Sequence, residues 1–151
     1  MEYEALLKEY DATELIIKEK DLHGSNGRIR GNRIAIKKDI SLRQKACVLA
    51  EELGHYHTTV GDILDQTDVS NRKQERTARL WAYNKQIGLS GLVHCFEARC
   101  QNIHEMADHL GVTEAFLQDA LECYRQKYGI CTSYQQYTIY FEPKLAICKK
   151  L

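Results

Sequence analysis

Little in this chain points to a membrane, an oxidising compartment or a polyanionic partner. No apolar run approaches bilayer-spanning length, and the opening residues, MEYEALLKEY, are acidic and amphipathic, unlike a signal peptide. Lys plus Arg and Asp plus Glu balance at 21 each, so no net field draws the whole molecule to nucleic acid or anionic lipid. The six cysteines (Cys47, Cys95, Cys100, Cys123, Cys131 and Cys148) include no Cys-x-x-Cys pair and give no disulfide framework. They read as small hydrophobes in a reducing compartment. A structural zinc site from Cys95 and Cys100 with His94 or His104 fits no common spacing and is set aside. Internal repeats and low-complexity tracts are absent. At 151 residues the expectation is one soluble, cytoplasmic domain, residues 1–151, with a core of its own.

What is present is a regular alternation of element signals. Leu6, Leu7 and Tyr10 share one side of a short N-terminal helix, and Leu15-Ile16-Ile17 opens a strand. Turns at His23–Gly27 and Gly31-Asn32 separate Arg28-Ile29-Arg30 from Arg33–Lys37, both of which alternate apolar with polar. These features predict a small antiparallel sheet. Asp39 or Ser41 caps the next helix, which runs through Leu42, Ala46, Leu49 and Leu53 and is apolar all round at Ala46–Ala50, as a buried helix is. Thr58 to Ser70, with Gly61, Asp62, Asp65 and Asp68, reads as a loop. Ser70 or Asn71 caps a helix to about Ile87, with Ala78, Trp81 and Ala82 inward, and Gly88 ends it. A helix from about His94 breaks near Gln101-Asn102, and two more are divided by Gly111. Tyr137–Phe141 and Leu145–Cys148 predict a terminal hairpin turned at the single proline, Pro143. The class is α+β and mostly helical.

One segment carries chemistry. Ala50-Glu51-Glu52-Leu53-Gly54-His55 has the spacing of the zinc-protease helix signature, with glutamate where the first histidine belongs. Positions i and i+4 share a helix face, so Glu51 and His55 form a ligand pair and Glu52 takes the place of the general base. Two adjacent carboxylates at the end of a buried stretch need a cation or hydrogen-bonded partners to offset desolvation. A third ligand on the following helix leaves one coordination position open, and Glu75 is the candidate. The bland alternatives are salt bridges from neighbouring helices to Glu51 and Glu52, and an i, i+4 pair between Glu75 and Arg79.

At Glu75, Ala78, Trp81 and Ala82 the chain resembles the ImmA/IrrE family of metallopeptidases. That family joins a His-Glu-x-x-His helix to a helix of the form Glu-x-x-Ala-x-x-aromatic-Ala. The resemblance spans roughly residues 10 to 90, with Gly31–Ile36 similar to the family's strand and Val48-Leu49-Ala50 to its helix entry. It implies a zincin-like fold with a metallopeptidase core over 1–90 and a helical extension over 91–151. It also implies a protein substrate, a helix-turn-helix repressor of a phage or mobile element. Carried over, Glu52 matches the catalytic glutamate, His55 the second histidine ligand and Glu75 the acidic ligand. Glu51 departs from the pattern.

Ligation by Glu51, His55 and Glu75 implies one divalent metal, zinc first, with the harder donor set favouring manganese or iron more than two histidines would. Two anionic ligands also leave the ion a weaker Lewis acid. Tyr56 or His57 is the candidate transition-state stabiliser. His57, two residues from His55, points to another face and is not read as a ligand.

Ile103–Leu117 has the look of a helix-turn-helix, with Ala107 at the crossing, Gly111 in the turn and Val112 and Leu117 facing inward. Its second helix would expose Glu114, Asp119 and Glu122, with no cation before Arg125. Acidic groups there repel phosphate, so direct DNA binding is disfavoured and a packing or docking role preferred. The competing function is a catalytically silent protein that sequesters a repressor through the same cleft.

Overall fold

The computed structural model describes residues 1–59 and 68–151, and side chains except those of 60–70. The expected loop over Thr58–Ser70 lies mostly outside the described residues. Contacts divide the chain into two compact units, Met1–Lys85 and Gln86–Leu151.

The first unit opens with α1 (Tyr3–Glu9), then β1 (Ile16–Lys20), β2 (Gly27–Arg30) and β3 (Arg33–Lys37). The strand order is β1-β3-β2, with β2 antiparallel to β3 and β1 parallel to it, pairing Ile16 with Arg33 and Lys20 with Lys37. The sheet is therefore mixed, where an antiparallel one was expected. The two-residue turn Gly31-Asn32, with Gly31 at φ 62, reverses the chain between β2 and β3. The Asp21–Asn26 connection instead carries the chain past β3, so β1 joins the far edge in parallel. Local turn chemistry specifies the hairpin but not this crossover.

Helix α2 (Leu42–Thr58) lies on the sheet. Ser41 caps it in a capping box: its Oγ accepts from the Gln44 N–H at 3.1 Å, and the Gln44 side chain accepts from the Ser41 N–H at 3.0 Å. The core joins Leu6 of α1, Ile34 and Ile36 of β3, and Ala46, Leu49 and Leu53 of α2, with Tyr3 and Leu15 beside them. Each fully buried Leu or Ile contributes on the order of 1.5–3 kcal/mol from removal of its apolar surface from water. Leu42, expected on this inward face, is exposed because it stands in the first turn, short of the sheet. Glu19 ties three elements by accepting from Tyr3 on α1 at 3.4 Å and pairing with Lys45 on α2.

Helix α3 (Asp68–Gln86) is already running at Asp68, ahead of the expected cap at Ser70 or Asn71. Ala78 and Ala82 are fully buried.

The second unit holds α4 (Gly88–Glu97), α5 (Ile103–Leu110), α6 (Glu114–Tyr128) and a meander of β4 (Cys131–Tyr134), β5 (Tyr137–Tyr140) and β6 (Ala146–Lys149). Helix α4 starts six residues before the expected His94, because Gly88 at φ 63 supplies the break and the chain turns helical again at once. Asn102 caps α5 by accepting from the Glu105 N–H, Gly111 closes it at φ 69, and Thr113 caps α6. Ala107, Val112 and Leu117 are fully buried, which gives the helix-turn-helix packing that their spacing predicts. The expected terminal hairpin is β5–β6, with Pro143 in its connection. It gains a third strand, β4, whose Cys-Thr-Ser-Tyr sequence lacks an apolar alternation to announce it.

Candidate metal centre

The site of the first unit is organised by a close helix crossing. A Cβ built on Gly54 would fall 2.2 Å from the carbonyl oxygen of Ala78, so α2 and α3 meet backbone to backbone at that point. Only a residue without a side chain fits there. The approach brings the residue after Gly54 and the residue three before Ala78 face to face: His55 Nε2 lies 3.1 Å from Glu75 Oε2. This gives the Glu-x-x-Ala pattern a physical meaning, because the small residue sets the distance at which the acid reaches the histidine.

The other Glu75 oxygen, Oε1, accepts from Arg79 Nε at 3.1 Å. The i, i+4 pair weighed as the bland reading is thus present together with the histidine contact. Partial burial works against the Arg79 charge, yet Glu75, Tyr83 and Glu51 hold its pKa above the ordinary value. Glu52 sits under β2. A Cβ on Gly27 would come 2.9 Å from Glu52 Oε1 and 2.5 Å from Val48 Cγ1, so the strand passes directly over the acid. Burial, then the charges of Glu51 and Glu75, push the Glu52 carboxyl up to about 7.

Histidine 57 is engaged elsewhere. Its Nε2 is 2.7 Å from the Tyr10 hydroxyl, and its ring stacks on Trp81 with centroids 4.8 Å apart at 23°. Burial and then Lys85 lower its pKa. The aromatic of the second motif therefore anchors the end of α2 to α1 and α3. Tyr56 is half-buried against the core.

Two ligand atoms on one tetrahedral ion with bonds of about 2 Å lie roughly 3.3 Å apart, so the His55–Glu75 separation matches one edge of such a site. Glu52, driven toward its neutral form by its own burial and then by the charges of Glu51 and Glu75, belongs to a set of carboxylates that a divalent cation would neutralise. Among the described residues, no group of three or more His, Cys, Asp or Glu side chains is already gathered as a metal cage. The residues whose role spacing alone did not reveal are Gly27 and Gly54. Gly54 stood inside the signature, and its meaning depends on the helix that crosses it.

In the second unit, the acidic face expected on α6 is present: Glu114, Asp119 and Glu122 are exposed. Arg125 is held within the fold by Glu122 at 2.6 Å and Glu142 at 2.8 Å.

A helix bearing Glu-Glu-x-x-His, crossed at a glycine by a second helix that supplies an acid, defines a metallopeptidase-type framework. The family model described as the IrrE N-terminal-like domain matches residues 10–122. The chain belongs to this ImmA/IrrE family of metallopeptidases, whose members imply a divalent metal and a protein substrate. No curated protein and no solved structure matches. No helix among the described residues is long and apolar enough to cross a membrane.

Proposed function

We propose that this protein is a zinc-dependent endopeptidase acting in the cytoplasm on a helix-turn-helix repressor of a phage or mobile element. The observation that carries the reading is the 3.1 Å approach of His55 to Glu75 across the Gly54–Ala78 crossing, beside the half-buried acid Glu52. His55 and Glu75 would hold the ion, with Glu51, one helical turn before His55, as the third protein ligand. A bound ion supplies Lewis acidity to the scissile carbonyl and to the attacking water.

Glu52 does the proton work. Its carboxylate takes a proton from water and delivers it to the departing amine, and a pKa near neutrality suits both transfers. Gly27 of β2 packs against that side chain and limits its exposure. Arg79, on the far oxygen of Glu75, orients that carboxylate toward His55. With His57 Nε2 facing Tyr10, Tyr56 is the better placed of the two candidates to donate to the developing oxyanion.

The test pairs elemental analysis with cleavage of a cognate repressor. The expected result is one divalent metal per chain, cleavage by the native protein, and retained metal with cleavage lowered about 10²–10⁴-fold in Glu52→Gln. Equal cleavage by both proteins removes Glu52 from the mechanism, and absence of metal even after added zinc or manganese removes the centre. One observation favours a second reading: among the described residues no three metal-ligating side chains are already gathered. A metal-loaded protein that binds the repressor and leaves it intact would establish a sequestering role.

A further inference from the structure

The end of α4 brings two thiols together. Ala98 is the C-cap, and Arg99 takes the left-handed conformation at φ 64. The Arg99 N–H then donates to the Phe96 carbonyl at 3.0 Å, and the Cys100 N–H to the Cys95 carbonyl at 3.0 Å. In this kind of helix ending, the residue two past the cap folds back onto the third residue from the helix end, and an apolar contact ordinarily fills the corner. Here both positions are cysteine. The fold-back sets the two side chains at the same corner, where Cys100 acts on the Cys95 thiol.

Their surroundings distinguish the two. Cys95 is buried and its thiol also reaches the Met106 carbonyl at 3.9 Å, while Cys100 is half-exposed and reaches the Glu105 carbonyl at 3.8 Å. Both line a cavity of about 380 Å³ that Phe96, Met106 and Ile147 also border, so a small oxidant has access to the pair. The remaining cysteines have different settings. Cys131 and Cys148 are exposed on the outer strands of the meander, opposite Tyr140 and Thr138 of β5 respectively, and so do not face each other.

We propose that Cys95 and Cys100 form a redox-active dithiol that peroxide converts to an intramolecular disulfide. The Cys100 thiolate attacks one peroxide oxygen. A sulfur–oxygen bond forms, the oxygen–oxygen bond breaks, and the hydroxide released takes up the proton that Cys100 gave up. Cys95 then attacks the Cys100 sulfenic acid, forming the sulfur–sulfur bond, and its proton leaves with the hydroxyl as a second water. Two thiols and one peroxide thus give one disulfide and two waters. Burial, followed by the neighbouring Cys100, pushes the Cys95 thiol up to about 12, which suits it to the resolving role and not the first attack. Oxidation also removes both S–H donors to Glu105 and Met106, so the output of the switch is a loosened α4–α5 contact.

The test treats the reduced full-length protein with equimolar hydrogen peroxide and maps its thiols by differential alkylation and mass spectrometry. The expected product is a Cys95–Cys100 segment lighter by two hydrogens, formed at least about tenfold faster than any bond involving Cys123, because contact raises the effective concentration of the partner thiol. Replacing Cys131 and Cys148 by serine leaves it unchanged, and Cys100→Ser abolishes it while leaving Cys95 alkylatable after denaturation. Phenylarsine oxide, which needs two convergent thiols, is expected to bind reduced wild type and not Cys100→Ser. The proposal is overturned if both thiols remain alkylatable after Cys131 and Cys148 are oxidised, if Cys100 stops at sulfenic or sulfinic acid, or if the wild-type protein fails to capture the arsenical.

Discussion

Replacing Gly54 by alanine tests the geometry on which the candidate centre rests. The new methyl carbon would lie 2.2 Å from the Ala78 carbonyl oxygen and 3.0 Å from its carbon, where ordinary contact begins at 3.4 Å. The obstacle is backbone and cannot rotate aside, so the helices must part by about 1.2 Å at the crossing. Such overpacking costs about 1–3 kcal/mol, here toward the upper end. Alanine returns about 1 kcal/mol through its better helix propensity. The net loss of about 2 kcal/mol lowers the urea midpoint by about 1 M for a denaturant slope near 2 kcal/mol/M. Parting also stretches the His55–Glu75 approach from 3.1 Å to beyond hydrogen-bonding reach, so zinc affinity measured by calorimetry should fall at least about tenfold. Gly91→Ala is the control: the tightest contact of its Cβ is the Leu110 Cδ2 at 3.1 Å, a side-chain end that can shift, with Ile87 at 3.5 Å or more, so its urea midpoint should not fall. An unchanged midpoint with unchanged zinc affinity in Gly54→Ala would refute the account of the crossing.

Three further outcomes follow from the same geometry. Because the folded pKa of Glu52 is raised from 4.5 to about 7, the metal-free protein should be favoured by the neutral carboxyl at and below pH 4.5, lose that contribution between pH 4.5 and 7, and level off above; allowing for solvent screening the loss is about 2 kcal/mol. Denaturation of wild type and Glu52→Gln at pH 5 and 8 isolates it, and equal pH dependence in the two would count against a raised Glu52 pKa. Ser41→Ala removes the capping box of α2 and should cost about 1 kcal/mol in chemical denaturation without changing metal content. Glu51→His removes one of the charges that raise the Glu52 pKa, so the midpoint for Glu52, followed by carboxyl NMR, should move down, and preference for zinc over manganese should rise. An unmoved Glu52 midpoint would mean that Glu51 does not act on it.

Most of the first unit was legible because its signals are local. Alternation in Arg33–Lys37 marked the central strand, and Ser41 before an apolar run marked α2. The parallel placement of β1 was not legible, since it depends on how the Asp21–Asn26 connection crosses the sheet and not on the pattern of either strand. The start of α4 was missed for a related reason: Gly88 reads as a stop, while its positive φ serves equally to restart a helix. At the site, spacing identified Glu51, Glu52, His55 and Glu75 as chemistry-bearing residues. What spacing lacked was the partner of Gly54, a contact made by residues 24 positions apart. His57 shows the same limit. Its helix face separated it from His55, but its partners, Tyr10 and Trp81, come from two other elements.

In the proposed centre, the glutamate at position 51 acts in two opposing directions. As a ligand, an anion in place of a neutral imidazole withdraws some of the charge with which a bound cation acidifies water. As a neighbour of Glu52, the same anion adds to the effect of burial, with Glu75, in raising the proton affinity of the base. A weaker Lewis acid leaves water harder to deprotonate, while a stronger base removes the proton more readily, so the two consequences partly cancel in the step that matters. Arg79 adds a third element, because a fixed positive charge on the outer oxygen of Glu75 offsets the surplus of carboxylates without occupying the face toward His55. On the proposed ligand set, the glutamate redistributes charge within the helix pair that carries His55 and Glu75 and does not simply remove a ligand from it.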